Sequence, residues 1–207
     1  MLIQEFCKER GRDIVVFDLE IKKEIGKNGI GWTSFDKMGI SVGVTYSFLK
    51  NEYKVFMDDN LVEMGELLSS AGMTTGFNTI SFDLNLLAGN LLSVATQKTN
   101  LARKNYDCLV HSRQASNREG FIPGFKLDEH LFHIFGKEFM KTGEGASAPI
   151  WWGEGKTGKV ISYCIDDVKR EAMLFEHFWT QKWTKTSHGQ FNLKTTPQEF
   201  FTNLEAK

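Results

Sequence analysis

The alternation of apolar and polar positions along the chain predicts a β-rich first third followed by a mostly helical remainder. Ile14-Val15-Val16-Phe17 is an unbroken apolar run with three β-branched residues. It lacks the polar alternation of a half-exposed strand, so it predicts a central strand over 13–20 that is covered on both faces. Gly26, Gly29, Gly31 and Gly39 mark a following loop that carries Trp32 and Phe35; packing of these aromatics is favoured over stacking on a nucleobase. Residues 39–48 alternate apolar with small or polar side chains, and 53–57 resume after Lys50-Asn51-Glu52. This is a β-hairpin signature, and it places three sequential strands at one side of a sheet.

Helical spacing then takes over. Leu61, Met64, Leu67 and Leu68 predict a helix, entered through Asp58-Asp59-Asn60 and stopped at Gly72. Residues 74–78 are extended, and Ser81 is a candidate cap for a second helix that begins with Phe82-Asp83-Leu84. Tyr106 to His111 fits a further strand or a short buried helix. A helix over 127–135 ends at Gly136. Residues 141–159 are glycine-rich and predict a long loop, of the kind that forms a lid or a substrate wall. The longest helix opens at Val160, with Val160, Cys164, Val168, Ala172 and Phe175 as the stripe that docks on the sheet. In the tail, 188–194 predicts an edge strand and 197–204 an amphipathic helix.

Composition changes this picture little. The 207 residues are 41% hydrophobic and 25% charged, as in an ordinary globular protein, and suffice for one domain with a real core. No apolar stretch reaches membrane length and no signal peptide pattern opens the chain, so a cytoplasmic location without membrane association is expected. Cys7, Cys108 and Cys164 are odd in number and far apart; reduced, structural cysteines are expected. A net charge of −1 argues against coating nucleic acid by bulk electrostatics, while leaving room for a local basic groove. Lys98, Arg103, Lys104, Arg113 and Arg118 offer either a solvated face or phosphate contacts.

The candidate chemistry lies where the first strand ends. Asp18 and Glu20 are two residues apart, so both carboxylates leave the strand on one face. Two such charges at the margin of a core call for a divalent cation with oxygen ligands, although about one D-x-E triplet arises by chance in a chain of this composition. Asp83 follows in the first turn of a helix, after Asn78 at a strand end, where α/β sheets gather their sites. Tyr163 and Asp167 share a helix face at i, i+4, while Asp166 points a quarter-turn away. Other motifs fail on spacing. Gly155-Lys156-Thr157 lacks the P-loop glycine, since position 150 is Ile150, and His130 and His133 have no third zinc ligand at a recognised spacing.

Taken in order, Asp18-x-Glu20, Gly76-Phe77-Asn78-x4-Asp83 and Tyr163-x3-Asp167 resemble the three motifs of the DEDD 3′→5′ exonucleases, in the tyrosine-bearing subclass. Trp151-Trp152-x-Glu154-Gly155-Lys156 ahead of Tyr163-Cys164-x-x-Asp167-Val168 is similar to bacterial and phage members related to the proofreading domains of DNA polymerases. The match runs from about Asp13 to Phe178. It implies an α/β, ribonuclease H-like fold: a five-stranded mixed sheet with one antiparallel strand, flanked by helices. The whole of 1–207 forms one domain in this reading, with a core over about 13–180 and a C-terminal extension over 181–207. The resemblance also implies two Mg²⁺ or Mn²⁺ ions, with Asp18 bridging both, Glu20 and Asp167 on the water-activating ion, and Asp83 on the other. In the same reading Tyr163 is expected to orient the attacking water. Leu19, Lys22, Asn78, Phe82 and Lys156 are the expected substrate contacts. Ile21-Lys22 departs from the small hydroxyl residue that many relatives carry after D-x-E. The implied partner is nucleic acid with a free 3′ end, best short or single-stranded, with a helicase or replication and repair proteins as associates. A binding or adaptor module of the same fold, and an endonuclease of the same fold, are the competing expectations.

Overall fold

The computed structural model describes residues 1–118, 123–139 and 147–206. Its frame is a five-stranded mixed sheet in the order β3-β2-β1-β4-β5, with β1 (Ile14–Ile21) at the centre. β2 (Ile40–Ser47) and β3 (Glu52–Phe56) form the hairpin, while β4 (Met73–Gly76) and β5 (Asn105–Asp107) lie beyond β1. β1, β4 and β5 are mutually parallel, and β2 runs against both of its neighbours. β2 is therefore the single antiparallel strand.

The apolar run of β1 is explained by two separate cores. Ile14 and Val16 enter a cluster with Val160, Cys164, Val168 and Phe175 of α9 (Thr157–Gln181), while Val15, Phe17 and Leu19 enter a second cluster on the opposite face. That second cluster receives Met64 and Leu68 of α3 (Leu61–Ser70), Leu84 and Leu87 of α4 (Asp83–Asn90), and Val94 of α5 (Leu92–Arg103). Each position from Ile14 to Phe17 is apolar because each is buried against one layer or the other. The docking stripe read from the sequence of α9 is buried along its length. α1 (Ile3–Arg10) and α10 (Pro197–Glu205) close the α9 side through Phe6, whose ring lies edge-on to Trp179 and Phe201 at 4.9 and 5.1 Å.

Several expectations are corrected. The stretch read as loop contains α8 (Ala148–Gly153), entered through a proline in its first turn, where the missing amide carries no penalty. Residues 141–146 of that expected loop lie outside the described residues. The tail strand does not join the main sheet: β7 (Gly189–Asn192) pairs with β6 (Trp183–Thr186) in a hairpin of its own. Beside β5 the tail is held by a side chain, as the Tyr106 hydroxyl donates to the Thr195 carbonyl at 2.9 Å. The stretch 106–111 is both strand and helix, since β5 passes directly into α6 (Cys108–Ala115). Ser81 is not the cap of α4; Phe82 holds that position without a side-chain hydrogen bond. The helix over 127–135, α7 (Leu127–Phe135), ends at Gly136 as read. Among the described residues no helix is long and apolar enough to cross a membrane.

Candidate metal centre at the end of the central strand

At the carboxyl end of β1, Asp18 and Glu20 continue the face of Ile14 and Val16, the one turned toward α9. There they meet Cys164, and the ligand atoms of Asp18, Glu20 and Cys164 all lie within 4.8 Å of one another. The Cys164 thiol donates to Asp18 Oδ2 at 3.4 Å and approaches the Asp18 carbonyl at 3.5 Å. Burial, followed by the charges of Asp18 and Glu20, pushes its pKa well above the usual thiol range. In the metal-free protein Cys164 is thus a hydrogen-bond donor to Asp18. Its residence in the docking stripe was legible, whereas its contact with the carboxylate was not.

Asp83 enters from the first turn of α4 and is only 3% exposed. Burial, and next the charge of Asp18, raise its carboxyl well above the normal range, opposed in part by the backbone amides of Asp83 and Leu19. Its Oδ1 is buried without a hydrogen-bond partner among the described residues. Asp167 arrives from α9, 8% exposed, with Oδ1 receiving the Arg170 guanidinium at 3.1 Å. Arg170 also holds Asp128 at the start of α7. Tyr163, one turn before Asp167, is half-buried and lies edge-on to Trp151 at 5.6 Å, with the Lys159 ammonium over the other ring at 3.9 Å. Asp166 behaves as the control it resembled, exposed and paired with Lys169 at 3.0 Å.

Two residues that motif reading passed over complete the acidic end of the sheet. Glu171, one further turn along α9, is 4% exposed and accepts the Phe77 amide at 3.2 Å. Burial raises its carboxyl, and the charges of Asp18, Asp83 and Asp167 add to the effect in that order. Its spacing of four from Asp167 was the available signal. Asp107 ends β5 and accepts four backbone amides, from Asn78, Ile80, Leu109 and Val110, at 3.0 to 3.3 Å. An aspartate immediately before a helix is a recognisable N-cap, and Asp107 caps α6 in that way. Its second duty, gripping the turn that leads to Asp83, has no local signature. Asn78 occupies that turn with φ 67°, a left-handed conformation that asparagine tolerates.

The expected substrate contacts divide. Leu19 and Phe82 line one cavity of about 510 Å³, together with Glu20, Ile21, Ile25 and Trp32. Phe35, which opens the short helix α2 (Phe35–Met38), packs edge-on against Phe82 at 5.9 Å, whereas Trp32 stands 72% exposed, so only one of the two loop aromatics is used for packing. Lys22 and Lys156 line no wall of that cavity and are each paired with a carboxylate, Lys22 with Asp58 at 2.5 Å and Lys156 with Glu154 at 2.7 Å. The basic run does not form a single stripe. Lys98 meets Asn85, Lys104 caps the Ser69 and Ala71 carbonyls at 2.6 and 2.7 Å, and Arg118 meets His188 at 3.1 Å. His130 is buried against Thr184 at 2.9 Å, and burial holds its pKa down at about 3, while His133 turns to Glu129.

No family model matches the chain, and no curated protein matches it. Among solved structures, the chain is similar to the family B DNA polymerase from the hyperthermophilic archaeon Pyrobaculum calidifontis, with a TM-score of 0.58 at 14% identity. The superposition covers 81% of this chain and 24% of the polymerase, so the likeness is one of fold over a limited part of a longer protein.

Proposed function

We propose that the chain is a metal-dependent 3′→5′ exonuclease of the ribonuclease H-like fold that hydrolyses the 3′-terminal phosphodiester of DNA, with RNA as the alternative substrate, and releases nucleoside 5′-monophosphates. The observation that carries this reading is the convergence of acids from distant parts of the chain at one sheet end. Asp18, Asp83 and Asp167 all act on the same buried Glu171, and Glu20 joins Asp18 on its strand face. A polymerase with the same fold over this region, and the order of the three motifs, support it further.

The donor set suits Mg²⁺ or Mn²⁺. Its oxygens are hard, and the Asp83 Oδ1 is buried without a hydrogen-bond partner among the described residues. Asp18, Glu20, Asp83 and Asp167 would hold the ions, which in such sites activate water and stabilise the departing oxygen. Cys164 fixes the Asp18 carboxylate through its thiol. Tyr163 is assigned to aim the attacking water by hydrogen bonding. Leu19 and Phe82 offer apolar walls for the terminal base beside Glu20, and the exposed indole of Trp32 extends that surface.

End-labelled single- and double-stranded DNA and RNA, incubated with Mg²⁺, Mn²⁺ or EDTA, test the proposal. Stepwise shortening from the 3′ end with divalent metal is expected, abolished in Asp18→Ala and in Asp167→Ala and retained in Asp166→Ala. Full Mg²⁺-dependent activity of purified Asp18→Ala defeats it. A circular single strand separates exonuclease from endonuclease, because only an endonuclease opens it. One observation favours the adaptor reading: Arg170 already occupies an oxygen of Asp167. That reading requires binding to 3′ ends with no shortening over hours in Mn²⁺.

A further inference from the structure

Tyr163, Asp167 and Glu171 lie at successive i, i+4 positions of α9 and so form one polar stripe. The first two belong to the motif on which the nuclease reading rests; the third does not. Glu171 is as buried as a core leucine, yet only one of its oxygens is satisfied. Oε1 accepts the amide of Phe77, and Oε2 has neither accessible surface nor a hydrogen-bond partner among the described residues. A carboxyl kept in that condition is destabilising compared with an apolar side chain of similar shape, which makes a purely structural role a poor explanation. What it touches supplies a better one. Phe77 lies in the turn between β4 and α4, and the same turn carries Asn78 and delivers Asp83. That turn passes very close to its neighbours: a Cβ on Gly76 would stand 2.8 Å from the Phe17 carbonyl and 3.1 Å from Glu171 Oε2. The backbone is thus clasped between β1 and α9, the two elements that carry Asp18 and Asp167. From the other side, Asp107 holds the Asn78 and Ile80 amides.

We infer that Glu171 is a positioning residue of the acidic centre, one that ties the Phe77 amide to α9 and thereby fixes Asp83 against Asp18 and Asp167. The inference rests on the nuclease reading for its effect on activity, but the tether itself is a property of the metal-free protein. Three variants test it. E171Q keeps a carbonyl acceptor for Phe77, whereas E171M and E171A remove it. In the metal-free protein, exchange of the Phe77 amide is expected to accelerate by about tenfold or more in E171M or E171A and to stay near wild type in E171Q. With substrate, the acceptor-less variants should lose about tenfold in kcat and need several-fold more Mg²⁺ for half-maximal activity. The KM for an oligonucleotide should move less than about twofold. E171Q should restore kcat to within about threefold of wild type.

Unchanged Phe77 exchange in E171M and E171A overturns the proposal, as does equal impairment of all three variants. Failure of both acceptor-less variants to fold, with E171Q folded, would assign Glu171 to the fold and overturn it too. Absence of any nuclease activity in the wild type strikes the functional reading instead, and the exchange measurement still decides the tether.

Discussion

The Cys164 thiol sits 3.4 Å from Asp18 Oδ2, so the helix stripe that docks α9 on the sheet also makes a direct polar contact with the central acid. One position thus serves packing and site geometry together. Cys164→Ser keeps a donor of smaller size, and Cys164→Val keeps the packing without the donor. In single-turnover assays on an oligonucleotide at saturating Mg²⁺, Cys164→Ser is expected to stay within about threefold of wild type and Cys164→Val to fall by about tenfold. Equal activity of the two would remove the thiol from the site.

The buried acids make a prediction about pH. Asp83 and Glu171 are raised well above their ordinary values of 3.8 and 4.5. The folded protein therefore binds their protons more tightly than the unfolded chain, and stability falls as pH rises from about 4 toward the folded-state values. Because the buried His111, His130 and His177, held down at about 4, 3 and 4, act in the opposite sense below their ordinary value, the comparison is with Glu171→Gln: in EDTA the Tm of the wild type should fall relative to that variant between about pH 5 and about pH 8. Millimolar Mn²⁺ should raise Tm most at the upper end of that range, where the carboxylates are ionised. A Tm that ignores both pH and Mn²⁺ would contradict the cation assignment.

Asp107 should prove structural and costly to remove. Asp107→Ala leaves four backbone amides without their acceptor, two of them in the turn that leads to Asp83. A loss of about 3 kcal/mol in urea denaturation is expected, with Asp107→Asn recovering part of it.

Gly76 tests the tightness of the same turn from its other side. A methyl group at this position would lie 2.5 Å from Thr79 Cγ2 as well as against the Phe17 carbonyl. Gly76→Ala should destabilise by about 1–3 kcal/mol and shift the Phe77 and Asn78 amide resonances.

Trp32 offers an optical reading of substrate binding. Its indole is 72% exposed at the rim of the cavity beside Glu20. Oligonucleotide binding in Ca²⁺ should change its fluorescence, and Trp32→Ala should raise KM several-fold with stability within about 0.5 kcal/mol of wild type. An unresponsive indole would place the base elsewhere.

The elements that were legible in the sequence are those whose pattern is local. β1 announced itself because both of its faces are buried, the hairpin because one edge alternates, and α9 because its stripe is continuous. Asp18 with Glu20, and Tyr163 with Asp167, share faces by simple periodicity, so each pair was readable before the fold was known. What escaped depends on contacts between distant segments. Glu171 lacks meaning until the turn at Phe77 is brought beside it, and Asp107 reads as a cap for α6 while its grip on Asn78 spans 29 residues of chain. The tail hairpin was misplaced because its partner strand, Trp183–Thr186, follows a long helix without a turn signal of its own. The helix at 148–153 was hidden by the glycines around it.

One irregularity in β1 bears on how such a protein can change. Pairing with β2 keeps a steady register from Val15 to Glu20, then shifts between Glu20 and Ile21, where the Ser41 hydroxyl reaches the carbonyls of both residues at 3.0 and 3.3 Å. A bulge at that point separates the rigid ladder from the segment that follows. Changes of length are best absorbed in the exposed turn 26–29, because Ile30 and Met38 beyond it are buried in the second core and Phe35 packs on Phe82 at the entry to α4. A longer or shorter turn at that point would alter the approach to the cavity wall at Ile25 and Trp32, while the spacing of Asp18 and Glu20 stays set by β1.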